Sequence, residues 1–197
     1  MQHTIQIMSL KKIDVRTLVL VLLLVAAAAM RIVNVKYTAL SNFTPVGAIA
    51  LFGGAYFTDK WKAYVVVLAT LFFSDMVVNY MYFGKFIVWY PSSSWLYLCF
   101  VLMVFIGSLI RKVNIVNVLV ASLGSVLMHW LIMDLPLLYG NLYPHTLAGY
   151  GASLVAAIPF ERNMLIGDAI YGAILFGGFE LAKTKYTALR SRVALAA

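Results

Sequence analysis

Long apolar runs, nearly free of charge and separated by short polar or basic stretches, constrain this chain more than any other feature. Leu18 to Met30, Ala63 to Met81, Trp95 to Ile110 and Ile115 to Leu135 are of this kind, and such runs read as helices that cross a bilayer core of about 30 Å. With 63% of its residues hydrophobic and 11% charged, the composition lies outside the range of soluble domains. The chain is therefore expected to be an all-α integral membrane protein. Lys11, Lys12 and Arg16 ahead of the first run suggest a signal peptide, but Arg31 and Lys36 flank its far side and no clear small-x-small cleavage site precedes a mature domain, so it reads as a retained first span.

Six spans are expected, the second unusually short. Residues 1–16 form a cytoplasmic leader, 17–184 a single transmembrane domain and 185–197 a cytoplasmic tail. Thr17 to Val33 is the first span and Asn34 to Phe43 a polar loop. Pro45 to Phe57 is free of charge, yet at its length it rises only about 20 Å, less than a bilayer core. Pro45 suits a first helical turn and Thr44 an N-cap, so a short helix should begin at Thr44. Gly47, Ala50 and Gly54 would share one face, where another backbone can come close. Ala63 to Met81, Trp95 to Ile110 and Ile115 to Leu135 are the third to fifth spans. Leu147 to Ile158 is too short to cross and is expected as a surface or re-entrant helix ending before Pro159. Asn163 to Leu181 is the sixth span.

This arrangement sorts the charges. Lys11, Lys12, Arg16, Lys60, Lys62, Arg111, Lys112, Lys183, Lys185, Arg190 and Arg192 fall on the side of the termini, against Arg31, Lys36, Lys85 and Arg162 opposite. By the positive-inside rule both termini are cytoplasmic. The net charge of +8 then reflects topology. Because the basic residues flank hydrophobic segments and form no basic domain, no nucleic-acid partner is expected; membrane lipids are.

Polar residues inside the spans gather toward the outer half of the membrane. Asp75 and Asn79 share a face of the third span, Ser122, Ser125 and His129 form a stripe on the fifth, and Asp168 and Tyr171 share a face of the sixth. Arg31 and Asn34 close the outer end of the first. Ionisable groups at membrane depth normally face a bundle interior or a water-filled cavity. Each also has a plainer reading: Asp75 paired with Arg31, His129 as a satisfied core residue, Glu161 and Arg162 as a local salt bridge. Several spans placing polar groups at one depth favours a cavity.

Catalytic and cofactor patterns are absent. His129 and Asp134 are five apart, on different helix faces, and there is no HExxH, nucleophile elbow or phosphate-binding Gly-rich loop before Lys-Ser/Thr. Cys99 is the only cysteine, which excludes an intramolecular disulfide and a cysteine-based metal cluster. No cofactor or metal is expected, and any ATP-driven step would need another subunit.

Two stretches, NFTPVGAIALFGGAYF (Asn42 to Phe57) and YPHTLAGYGASLVAAIPFERNMLIGDAIYGAILFGG (Tyr143 to Gly178), resemble an uncharacterised family of bacterial membrane proteins described only as transport proteins, over about residues 15 to 184. More distantly, the layout is similar to the substrate-binding S components of energy-coupling-factor (ECF) vitamin transporters, in which a short second span with a proline at its start is followed by four more. There a short helix ends in a Pro-Phe turn before the last span, as Ile158-Pro159-Phe160 does here. The resemblance implies an S-component-like six-helix bundle with an extra short helix before the last span. It also implies a solute cavity at the outer face and docking, through small residues such as Ala26 to Ala29, on an energy-coupling transmembrane subunit with ATPases.

The expected function is membrane solute binding and uptake, with a small polar or cationic solute held by Asn42, Thr44, Asp75, Asn79, His129, Asp168 and Tyr171, although Arg31 or Arg162 would equally suit an anion. The alternative from another class is an intramembrane enzyme acting on a lipid or prenyl substrate, with His129 and Asp168 as acid and base. A third reading is a structural bundle whose polar groups pair internally.

Overall fold

A computed structural model describes residues 14–35, 37 and 42–190, apart from the side chains of residues 33 and 34. Expectations resting on Lys11, Lys12, Lys36 and Arg192, on most of the loop after the first span, on the Asn34 side chain and on the far tail lie outside the described residues. The rest is helical: α1 (Val15–Asn34), α2 (Val46–Tyr56), α3 (Lys60–Phe83), α4 (Ser93–Ser108), α5 (Ile115–Met133) and α6 (Leu147–Lys185), with 3-10 turns at Pro136–Tyr139 and Thr187–Leu189. α1, α3, α5 and α6 are long and apolar enough to cross a membrane. The outward faces of these helices carry Leu22, Val65, Phe73, Val116, Val120 and Ile174, all exposed, as a lipid-facing surface requires.

α2 is the axis of the bundle. It touches each of the other five helices, α4 most extensively, and every residue except Ala55 is buried. A helix that is apolar all round belongs in a core, so Gly47, Ala50 and Gly54 do not mark a single packing face. A Cβ on Gly54 would lie 2.1 Å from the Val104 carbonyl oxygen of α4, and one on Gly107 of α4 would lie 2.4 Å from the Leu51 carbonyl oxygen of α2. The two backbones touch there because neither residue has a side chain. Below this contact, Phe52 and Tyr56 pack against Phe176 and Phe179 of α6, with ring centroids 4.7 to 5.6 Å apart. The turn bearing Phe176, Ala173–Gly177, is wound as a π-helix.

The last carbonyls of α2 would be stranded in an apolar core without donors. Lys60 Nζ donates to the Gly54 oxygen at 2.7 Å and Arg16 Nη2 to the Tyr56 oxygen at 2.6 Å. Cations here also oppose the negative end of the helix dipole. Tyr56 in turn donates its hydroxyl to Glu180, at 2.5 Å, which pairs with Lys183. The start of α1, the end of α2, the start of α3 and the end of α6 thus meet at one end of the bundle, and both described chain ends lie there.

Two expectations about helix ends are corrected. α2 starts at Val46, with Pro45 and not Thr44 at the cap position and no side-chain cap from it. Asn42 adopts a left-handed backbone (φ 63) and its carbonyl accepts the Thr44 N–H at 2.9 Å, which turns the chain sharply just before the helix. The expected short helix before the last span is no separate element: Leu147 to Lys185 is one continuous helix with Pro159 inside it. Proline removes one backbone bond, but α6 is docked on α5 on both sides of it. Trp130 Nε1 donates to the Leu154 oxygen at 3.0 Å, Ser153 Oγ to the Asp134 oxygen at 2.6 Å, and His129 meets Glu161 at 3.0 Å. The helix is 39 residues long, about 58 Å at 1.5 Å per residue, so it outreaches a bilayer core.

Replacing Gly54 or Gly107 with alanine should lower stability by about 1–3 kcal/mol each, because a backbone carbonyl cannot retreat as a flexible side chain does. Gly124, on α5, has nothing within 4 Å of the place a Cβ would take, so Gly124→Ala should be neutral or stabilising by up to about 1 kcal/mol through helix propensity. Melting curves of the detergent-solubilised variants check the contrast. Equal effects at all three positions would contradict the close α2–α4 contact.

Candidate functional site

At the opposite end of α2 the helices leave a cavity of about 100 Å³. Its polar lining comes from three parts of the chain: Arg31 in the last turn of α1, Asn42 and Thr44 in the turn before α2, and His129 on α5. Val46, Leu96 and Phe100 of α4, and Met164 of α6 supply apolar wall, Val46 from the first turn of α2. At about 30 Å³ per water molecule, the space matches roughly three waters.

Each cationic or basic group on the wall is backed by a carboxylate. Arg31 Nη1 sits 2.7 Å from Asp75 Oδ1 and donates to Ser74 Oγ, also at 2.7 Å. Ser74 donates its own hydroxyl to the Leu71 oxygen of the preceding turn. His129 Nδ1 lies 3.0 Å from Glu161 Oε1. The second oxygens of Asp75 and Glu161 are buried without hydrogen-bond partners among the described residues, as is Ser125 Oγ. Asp134, at the end of α5 beside the His129–Glu161 pair, accepts the Tyr139 hydroxyl at 2.6 Å. Burial pushes its carboxyl above the usual range, an effect the Tyr139 hydrogen bond opposes.

Asp168 does something different. Its Oδ1 accepts the Ala48 N–H at 2.8 Å and its Oδ2 is 3.5 Å from Ser122 Oγ. A Cβ on Gly47 would lie 2.4 Å from both carboxylate oxygens, so the carboxylate rests directly on the first turn of α2. It supplies from another helix the acceptor that the local sequence withholds, and a negative charge suits the positive end of the helix dipole.

Of the residues singled out from sequence, Asn42, Thr44 and His129 line the cavity. Asp75 stands behind Arg31, and Asp168 caps α2. Tyr171 is buried with its ring 5.7 Å from that of Phe43. Asn79 lies elsewhere: its Nδ2 donates to the Ile87 oxygen at 3.0 Å and fastens the loop after α3. Sequence reasoning gives Glu161 only a local pairing with Arg162. The signal for its inward position is the i, i+3, i+7, i+10 spacing of Glu161, Met164, Asp168 and Tyr171, all buried, which is legible once the helix is allowed to run through Pro159. Among the described residues no three His, Cys, Asp or Glu side chains converge as metal ligands.

The chain belongs to a family described as a family of unknown function (DUF6580), whose model matches residues 11–189. No curated protein and no solved structure matches it.

Removing the cap should be costly in a way that depends on Gly47. Asp168→Ala leaves a buried N–H unsatisfied and should lose about 1–3 kcal/mol; Asp168→Asn, which keeps an acceptor oxygen, should lose less. Gly47→Ala should destabilise the natural protein, but far less in an Asp168→Ala background, where the space is free. A double-mutant cycle on thermal melting reads this coupling, and strict additivity would contradict the contact.

Proposed function

We propose that this member of the family is a membrane solute-binding protein taking part in uptake, capturing a small polar solute in the cavity at the Arg31 end of the bundle. The observation that carries the reading is the cavity itself: polar side chains from α1, the turn before α2 and α5 border one partly open space in a largely apolar bundle. Polar groups at membrane depth are costly unless they are paired or serve a solute or water. Arg31, Asn42, Thr44 and His129 keep hydrogen-bonding capacity for a guest.

The cavity lies away from the end where Arg16, Lys60, Lys62 and Lys183 gather. By the positive-inside rule that basic end is cytoplasmic, and the cavity is then reached from the outer face of a bacterial plasma membrane. The sharp turn at Asn42 to Pro45 forms part of the wall, so a bound solute would favour one arrangement of this segment over others. Differential affinity for the two arrangements is all that ligand-driven closure needs.

The S-component likeness rests on the six helices and the short, buried second one. An energy-coupling subunit carrying ATPases is the partner this likeness suggests. On α1, Ala26 and Ala29 are exposed while Ala27 and Ala28 are buried, so the outward pair is the surface such a subunit would meet. The enzymatic alternative has less behind it, because the Asp168 carboxylate it would use as acid or base is engaged with the first turn of α2.

The test is native mass spectrometry of the protein extracted gently from its membrane. A small molecule should copurify with the natural chain and be lost from Val46→Phe, whose ring would occupy the cavity, while that variant melts no earlier than the ligand-free natural protein. A natural protein that carries no small molecule and gains no thermal stability from a broad solute panel would overturn the reading.

A further inference from the structure

We infer that the solute is a small monocarboxylate, held through Arg31. The inference rests on the solute-binding reading above and names the chemical class of the guest. The carboxylates near the cavity do not border it. Asp75 and Glu161 each spend one oxygen on the basic group in front of them; their second oxygens are buried and without hydrogen-bond partners among the described residues, and neither residue belongs to the lining. Asp168 is spent on α2. No Asp or Glu belongs to the lining, whereas Arg31 and His129 do, so an ammonium group entering this space would meet a guanidinium and no carboxylate.

Arg31 is suited to the task. A guanidinium presents five N–H donors in a planar fork, and only Nη1 has a protein partner among the described residues. The remaining edge can take a second carboxylate in the bidentate manner that arginine favours. The Asp75 contact behind it holds the fork in place. His129 is likewise held at Nδ1 by Glu161, leaving Nε2 for the guest, as a donor when the ring is protonated and an acceptor when it is neutral. Thr44 and Asn42 add a hydroxyl and an amide. Opposite these groups, Val46, Leu96, Phe100 and Met164 make a dry wall suited to a short hydrocarbon end. The size agrees: by proportion to the cavity of about 150 Å³ that holds benzene, this one takes roughly four heavy atoms, the size of acetate or propionate.

The experiment is isothermal titration of the full chain in nanodiscs with acetate, propionate and lactate, against ethylamine and ethanol as probes of similar size. The carboxylates should bind and the amine and alcohol should not. Arg31→Lys keeps a cation for Asp75 but loses the fork, and should weaken carboxylate binding at least tenfold with little change in melting temperature. Arg31→Gln combined with Asp75→Asn leaves no unpaired buried charge, should melt as a folded protein, and should abolish binding. Binding of ethylamine or ethanol without the carboxylates would overturn the carboxylate class and leave the solute-binding reading standing. Carboxylate binding unchanged in both variants would overturn the role of Arg31. If no probe binds the folded protein, the class falls, and the copurification experiment decides the broader reading independently.

Discussion

Everything in this bundle is arranged around a short helix whose two ends are buried. α2 has eleven residues, too few to carry its polar ends out to both membrane surfaces, and each unsatisfied N–H or C=O in an apolar setting costs about 1–3 kcal/mol. The chain meets this cost with side chains from far away in sequence. Asp168 of α6 accepts from the N-terminal turn, while Lys60 and Arg16 donate to the C-terminal one. Anion at the positive end and cation at the negative end oppose the helix dipole in the sense that stabilises it, and the low polarity of the surroundings strengthens both contacts. The same contacts fix α1, α3 and α6 relative to α2.

The cavity follows from that placement. Because α2 begins midway along the bundle, the space that another turn of helix would fill is taken instead by the left-handed turn at Asn42 and by a small void. The groups facing the void are each contacted by a carboxylate lying behind them, so that Arg31 and His129 are held in position with part of their hydrogen-bonding capacity unspent. A bundle whose polar groups were fully consumed by internal pairing would leave no such reserve. Here the pairing is one-sided: each carboxylate lies behind its basic group and outside the lining, and nitrogen atoms face the void.

Much of this is legible in the residues. The apolar runs announce helices, the charge-free stretch after Pro45 announces a short one, and the spacing of Ser122, Ser125 and His129 announces an inward stripe that is buried throughout. Thr44 and Asn42 are legible as neighbours of a helix start, although the cap at that start is not Thr44. One reading fails for an identifiable reason, and two site residues have partners that the sequence does not announce. Pro159 reads as a terminator, because local propensity disfavours proline in a helix, yet the docking of α6 on α5 carries the helix through it. Asp168 reads as facing a solute, because nothing local says that a helix end lies opposite it. Asn79 goes with Asp75 by helical spacing, but the loop carbonyl of Ile87 is what it finds.

The amino-acid sequence by itself determined that this chain must bury its backbone in helices and that the second is short, since those properties depend on composition and periodicity along a single stretch. Only the tertiary structure decided which polar groups spend their hydrogen bonds on each other and which keep some to spare. That division depends on the register between helices, where α5 and α6 bring His129 to Glu161 and Ser122 to Asp168, and α1 and α3 bring Arg31 to Asp75. Such register is set by how side chains of different helices fill the space between them, a property of pairs of segments that no one segment contains.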